Sequence, residues 1–151
     1  MEQIIQLNAN AKLSEHFTLG ELTKSGSHPE VYNIPSHEAI ANMKRLCQWL
    51  EVLRKRYNAP IIINSGYRSP QLNKKIGGVA TSNHLTGCAV DIRTSGMDQT
   101  ICYAAILINY SKESNQDFDE LLIEKNRYGA IWLHFAVRPS GNRRKILFIN
   151  A

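Results

Sequence analysis

The chain has 151 residues, of which 43% are hydrophobic and 21% charged, a composition typical of a folded domain and not of a disordered, fibrous or coiled-coil protein. No apolar run approaches the roughly 20 residues that a membrane-spanning helix needs, and no basic segment precedes an apolar one at the start, so we expect neither membrane insertion nor a signal peptide. The net charge of +5 favours an anionic partner, but no nucleic-acid recognition motif accompanies it, so we expect a partner other than nucleic acid.

The first part of the chain predicts two helices separated by a loop. Thr18 and Glu21 have the spacing of a capping box, which predicts a helix of one or two turns. Residues 25–35 are rich in Gly, Pro and Ser and predict a loop. Ser36 is a good N-cap for a long amphipathic helix, which Asn58 would end.

The later elements mix helices and strands without a regular alternation. In chain order we predict a strand at 61–63, a short helix opening at 69–70, a strand within 87–94, a helix over 98–112, a hairpin over 118–139 with its turn near 126–129, and a terminal strand over 145–151. For the second long helix we expect an apolar face made of Ile101, Ala104, Ala105 and Ile108. The fold class predicted for residues 1–151 is a single α+β domain with a central, mainly antiparallel sheet flanked by helices.

An acidic residue, Asp91, lies in an otherwise apolar predicted strand. A buried carboxylate without a partner costs several kcal/mol, so Asp91 requires a partner. If its strand neighbours the one that contains His134, both side chains project into one hollow, and His84 lies on the loop that leads in. Two imidazoles and one carboxylate are a usual ligand set for a catalytic zinc ion, so these residues predict a Zn²⁺ site.

Three segments, SGYRSPQLN, SNHLTGCAVD and WLH, resemble the signature of the M15 zinc peptidases. This family includes the D-Ala-D-Ala carboxypeptidases and phage endolysins that cut peptidoglycan stem peptides, and the resemblance is to its subfamily A. The positions that match the family's pattern are Ser82, His84, Gly87, Ala89, Asp91 and His134. The resemblance extends over residues 17–137 and implies a fold like that of hedgehog and the DD-peptidases.

The resemblance also implies roles for individual residues. It identifies His84, Asp91 and His134 as zinc ligands, and the metal would polarise the scissile carbonyl and lower the pKa of its water. It identifies Arg68 as a catalytic residue that faces the substrate, where a guanidinium could hold a carboxylate or a carbonyl oxygen.

Three neighbours of these residues are candidate substrate-binding positions, and each has more than one possible role. Ser82 could contact substrate, brace its loop or serve only as a turn residue. Trp132 could form a wall of the substrate pocket or part of the core. Tyr67 could be a wall or a hydrogen-bond donor.

The general base departs from the family's pattern. Many relatives carry a glutamate three residues before the last histidine ligand, and that position is Ile131; other branches carry a histidine two residues before it, and that position is Trp132. We predict Glu124 as the base, because the hairpin would place it roughly across from His134, although a slip of one residue would turn it to the other face. The weaker candidates are Asp119 and Glu120.

Three functions follow as hypotheses. The leading one is a zinc-dependent peptidase that hydrolyses peptidoglycan stem peptides, either as a carboxypeptidase or as an endolysin-type endopeptidase. The alternative is a non-catalytic zinc-binding module of hedgehog-like fold that binds the cell wall or a protein partner, and Ile131 is its chief support. The third is nucleic-acid binding, suggested by the basic charge and by the loop Arg138 to Lys145, but this loop has no interleaved aromatic residues and no recognition motif. A cysteine hydrolase based on Cys88 is a further, less favoured alternative, because that thiol occupies a small-residue position after Gly87. We expect a monomer that is synthesised in the cytoplasm and acts at the cell wall, either after release as a phage or prophage lysin or by non-classical export.

Overall fold

The computed structural model describes residues 8–25 and 28–150. Its elements are α1 Leu19–Leu22, α2 His37–Tyr57, β1 Ile63–Ser65, α3 Pro70–Lys75, a 3-10 helix Asn83–Thr86, β2 Ala89–Arg93, α4 Met97–Ser114, β3 Glu120–Lys125, β4 Ile131–Ala136 and β5 Lys145–Asn150. Gly26 and Ser27 of the predicted loop and Ala151 of the predicted last strand lie outside the described residues. None of the described helices is long and apolar enough to cross a membrane.

The strands form one sheet in the order β1-β2-β4-β3-β5. Every neighbouring pair is antiparallel except β3 and β5, which run parallel. The predicted α+β class with a mainly antiparallel sheet is therefore confirmed. The first strand begins two residues later than predicted, at Ile63, although the carbonyl of Ile62 already accepts a hydrogen bond from the Arg93 amide at 2.9 Å.

The helix ends follow the capping residues that the sequence contains. Thr18 and Glu21 form both hydrogen bonds of the capping box. The Ser36 hydroxyl accepts from the Ala39 amide at 3.1 Å and starts α2. Asn58 ends α2 in the left-handed conformation with φ of 61°, which asparagine tolerates better than most residues.

The two faces of the sheet have different surroundings. One face packs against α2 and α4 in the hydrophobic core, where the rings of Trp49 in α2 and Phe135 in β4 lie 5.4 Å apart between centroids. Because side chains alternate along a strand, the opposite face carries polar residues of the three central strands, among them Asp91, His134 and Glu124. The core thus fixes the strands that position this polar face.

The prediction of the buried face of α4 was wrong, because the buried residues lie about one position earlier in the chain than predicted. The helix buries Thr100, Tyr103, Ala104 and Leu107, whereas Ile101 is 48% exposed. Apolar residues occur around most of α4, so their spacing fits more than one face. The bulky Tyr103 determines which face is buried, since its ring packs edge-on against Tyr57 of α2 with centroids 4.9 Å apart.

Candidate active site

The sheet register brings together three side chains that are distant in the chain. Asp91 of β2 pairs directly with His134 of β4. His84 lies in the 3-10 helix that precedes β2, where a loop was predicted. Gly87 ends this helix with φ of +75°, and a Cβ at that position would lie 2.5 Å from the Ala39 carbonyl oxygen, so the turn into β2 requires glycine.

The three side chains present their nitrogen and oxygen atoms to one point. His84 Nε2 lies 3.4 Å from Asp91 Oδ1, and His134 Nδ1 lies 3.0 Å from the same oxygen. One ligand atom from each residue falls within 4.8 Å of the others. Both histidines are buried, so their rings are held by the surrounding protein.

The outer nitrogen of each ring is held by a hydrogen-bond acceptor. His84 Nδ1 lies 2.7 Å from the Gly66 carbonyl oxygen, and His134 Nε2 lies 3.0 Å from Glu120 Oε1. Acceptors at these positions hold a proton on the outer nitrogen, so in the neutral form of each ring, the form that binds a metal, the lone pair of the inner nitrogen is directed at the common point. A partner of this kind orients histidine ligands in metal sites.

These distances fit a zinc ion. A tetrahedral Zn²⁺ with bonds of about 2.1 Å places neighbouring ligand atoms roughly 3.4 Å apart, close to the separations of the Asp91 oxygen from the two ring nitrogens. Two imidazoles and one carboxylate leave the fourth position open, as catalytic zinc sites do. The residues present therefore suit this metal.

The charges of the cluster are strongly coupled. Burial alone would raise the pKa of Asp91, but the charge on His84 and the hydrogen bonds from His134 and His84 outweigh it and lower the pKa far below its ordinary value. Burial alone would lower the pKa of His134, but its hydrogen bonds to Asp91 and Glu120 raise the pKa to about 9. The carboxylates of Asp91 and Glu120 thus stabilise a positive charge at this cluster.

Replacing Glu120 with alanine should weaken zinc binding about 10- to 100-fold, because His134 loses the acceptor that fixes its tautomer. Glu120→Gln keeps an acceptor oxygen and should retain most of the affinity. Competition with a chromogenic chelator at constant pH measures this difference. Glu113→Ala, an exposed change on α4, is the control. Equal zinc affinities of Glu120→Ala and the wild type would show that Glu120 does not position His134.

A cavity of about 680 Å³ opens over this cluster. It is lined by the three candidate ligands and by Arg68, Ser82 and Glu124 from the other predicted site residues. Arg68 Nη2 lies 3.4 Å from Asp91 Oδ2, and its backbone amide donates to the His84 carbonyl at 2.9 Å. The Ser82 hydroxyl accepts from the His84 amide at 3.1 Å, so Ser82 also caps the 3-10 helix that carries a candidate ligand.

Tyr67 and Trp132 are placed differently from these three residues. Neither belongs to the described residues that line the cavity. Tyr67 is buried in the hydrophobic core. Trp132 is half-buried beside the cavity, and its indole N–H donates to a carboxylate oxygen of Glu124. Trp132 therefore orients Glu124.

Glu124 lies on the predicted face but two residues away from the predicted register. It pairs with Trp132, while Leu122 lies opposite His134. Because the displacement is two residues and side chains alternate, Glu124 still faces the cavity. Burial and the nearby charge of Asp91 raise the pKa of Glu124. A carboxylate with a raised pKa, facing the cavity, is suited to accept a proton.

The two weaker candidates for the base have other roles. Glu120 holds His134, as described above. Asp119 is fully buried and binds Arg143, and although burial alone would raise the pKa of Asp119, its hydrogen bonds from Arg143 and Asn83 lower the pKa to about 2. The sequence analysis did not predict the role of Glu120. Glu120 and Glu124 are four residues apart on one strand, a spacing that places both side chains on the same face.

Comparison with known proteins agrees with this geometry. The sequence profile of the family described as Peptidase M15 matches residues 15–121, which include Arg68, His84 and Asp91. The chain is also 30% identical over 91 residues to the "Zinc D-Ala-D-Ala carboxypeptidase" of Streptomyces albus G. That alignment covers 60% of this chain but 36% of the relative, so the chain spans about a third of the relative's length. The profile match extends over more than half of the chain, and the chain therefore belongs to the M15 family of peptidases.

Proposed function

We propose that this chain is a zinc-dependent metallopeptidase that hydrolyses peptide bonds in bacterial peptidoglycan stem peptides. His84, Asp91 and His134 are the proposed metal ligands. The observation that carries the proposal is the convergence of their three ligand atoms within 4.8 Å in the lining of a cavity. The similarity to a carboxypeptidase whose name includes zinc and D-Ala-D-Ala supports both the metal and the class of substrate.

Bound zinc would supply Lewis-acid polarisation of the scissile carbonyl and a lowered pKa for a water molecule. Glu124 then acts as the general base and takes the proton from the attacking water. The indole of Trp132 holds Oε2 of this carboxylate, so Oε1 is available for the proton. Because its pKa is raised, Glu124 can hold that proton and pass it to the amine of the leaving peptide.

Arg68 binds the substrate next to the reacting bond. Its guanidinium is largely buried, with 14% of the side chain exposed, and is fixed by Asp91 Oδ2 and by Ser65 Oγ at 3.3 Å. A fixed guanidinium can hold a substrate carbonyl or carboxylate in place without losing much side-chain entropy on binding. This contact would orient the scissile carbonyl toward the metal.

The position of Glu124 favours a peptidase over a non-catalytic zinc module. Ile131 suggested the module, because it leaves no acid at the position where many relatives carry the glutamate base. Glu124 supplies a carboxylate to the same cavity from the neighbouring strand. We further propose that the protein acts at the cell wall after release from the cell that makes it, where its net charge of +5 favours contact with anionic wall polymers.

Digestion of purified peptidoglycan tests the proposed function. We expect soluble products in the presence of zinc and none after metal removal with a chelator, with activity restored by added zinc. Mass spectrometry of the products distinguishes loss of a terminal D-alanine, as by a carboxypeptidase, from cleavage inside the stem peptide. A protein that binds zinc and sediments with the wall polymer, but releases no product at any zinc concentration, would identify the non-catalytic module instead.

A further inference from the structure

We propose that a basic cluster at one end of the cavity, made of Arg138, Arg143 and Lys145, binds a carboxylate of the peptide substrate about two residues from the scissile bond. This inference rests on the proposed function and adds a specificity determinant to it. All three residues line the cavity that contains the candidate metal ligands. Arg138 and Arg143 lie in the segment between β4 and β5, and Lys145 is the first residue of β5, so all three come after the candidate metal ligands in the chain.

A buried carboxylate holds the two arginines in fixed orientations. Asp119 is 0% exposed, and Arg143 binds it through Nε and Nη2 at 3.0 and 2.8 Å. Arg138 Nε lies 3.2 Å from Asp119 Oδ2 and donates to Asn83 Oδ1 at 2.9 Å. Both guanidinium groups are therefore ordered before any substrate arrives, which lowers the entropic cost of binding an anion.

The cluster keeps donors that the protein does not use. Within residues 8–25 and 28–150, Arg138 Nη1 and Nη2 donate no hydrogen bond, and the Lys145 ammonium has neither a hydrogen-bond nor an ion-pair partner. Arg143 alone already gives Asp119 a bidentate partner, so a purely structural ion pair would require neither Arg138 nor Lys145. Three cations face two carboxylates, Asp119 and Glu120, and this leaves a local excess of one positive charge.

The register of the sheet gives the distance of this cluster from the reacting bond. Lys145 pairs with Glu120, which pairs with Ala136, two residues from His134. With about 4.8 Å between strands, Lys145 begins on the order of 10 Å from the metal ligands. An extended peptide advances about 3.4 Å per residue. A carboxylate on a short side chain, two residues from the scissile bond, therefore reaches this cluster.

Stem peptides offer such a group. In L-Ala-γ-D-Glu-L-Lys-D-Ala-D-Ala the glutamate is linked through its γ-carboxyl, so its α-carboxylate is free and lies two residues before the terminal peptide bond. The corresponding peptide with D-isoglutamine has an uncharged amide at that position and is otherwise identical. The pair therefore isolates the charge that the cluster is proposed to recognise.

Binding of the two peptides to the zinc-loaded Glu124→Gln variant, measured by calorimetry, tests the inference without requiring turnover. We expect the acid peptide to bind about 10-fold more tightly than the amide, with a difference that shrinks as salt is added. Lys145→Ala should remove most of this preference by weakening only the acid peptide, and Lys145→Glu should reverse it. Lys112→Ala, the same change on α4 behind the sheet, should leave the preference intact.

Equal affinities for the two peptides in the Glu124→Gln variant would overturn the inference, as would a Lys145→Ala variant that weakens both peptides alike. A different result would contradict the proposed peptidase function. If the wild-type protein cleaves neither peptide while the preference for the acid form persists, the carboxylate site stands and the peptidase activity does not.

Discussion

Replacing His134 with alanine is expected to lower the affinity for zinc more than about 100-fold and to abolish peptide hydrolysis. A change in a partner of a ligand typically costs 10- to 100-fold, and the loss of a ligand itself costs more. The remaining ligand atoms, on His84 and Asp91, would give the ion two protein contacts instead of three. Zinc content after dialysis, followed by competition with a chelator, measures the effect.

His37→Ala is the matched control for this change, because His37 is an exposed histidine at the start of α2, away from the cavity. It should bind zinc as the wild type does. His84→Ala and Asp91→Ala should reproduce the loss seen in His134→Ala. Retention of one tightly bound zinc per chain in any of the three variants would remove that residue from the ligand set.

Replacing Glu124 with glutamine is expected to lower kcat about 10²- to 10⁴-fold while zinc affinity stays the same. Glutamine keeps an acceptor for the Trp132 indole, so the side chain should remain in place, but it cannot take a proton from water. Steady-state hydrolysis of a stem peptide, with zinc content measured on the same samples, separates catalysis from metal binding.

The pH dependence of the wild type gives a second measure of the same residue. A general base must be deprotonated, so activity should fall as the pH drops through the pKa of Glu124. Burial is the largest cause that raises that pKa, so the acidic limb should lie above the ordinary range of a glutamate. Glu113→Gln, on the exposed surface of α4, is the control for the substitution. If Glu124→Gln keeps more than half of the wild-type kcat, Glu124 is not the base.

The grouping of Asp91 and His134, two of the three candidate ligands, could be predicted from the sequence because each conflicts with its local pattern. Asp91 interrupts a strand whose neighbours Val90 and Ile92 are fully buried, and a carboxylate there requires a compensating charge. His134 similarly alternates with the buried residues Leu133 and Phe135. The alternation of side chains along both strands then predicts which residues share a face, whatever the length of the connecting segment.

The register and the contacts of longer range could not be predicted in the same way. The pairing of Glu124 with Trp132 depends on the number of residues that the turn at 126–129 takes up, which composition does not fix. The basic cluster depends on β5 lying parallel to β3, and this brings Lys145 to the cavity from a segment that showed no motif. The prediction of the buried face of α4 was wrong for a related reason, since the packing of Tyr103 on Tyr57 determines which face is buried.

X-ray diffraction from crystals grown with zinc, recorded at the zinc absorption edge, tests the central claim most directly. The account predicts one anomalous peak per chain, about 2.0–2.2 Å from His84 Nε2, from an Asp91 carboxylate oxygen and from His134 Nδ1. A zinc-saturated crystal with no peak at this point, or with the ion bound by other side chains, would contradict it.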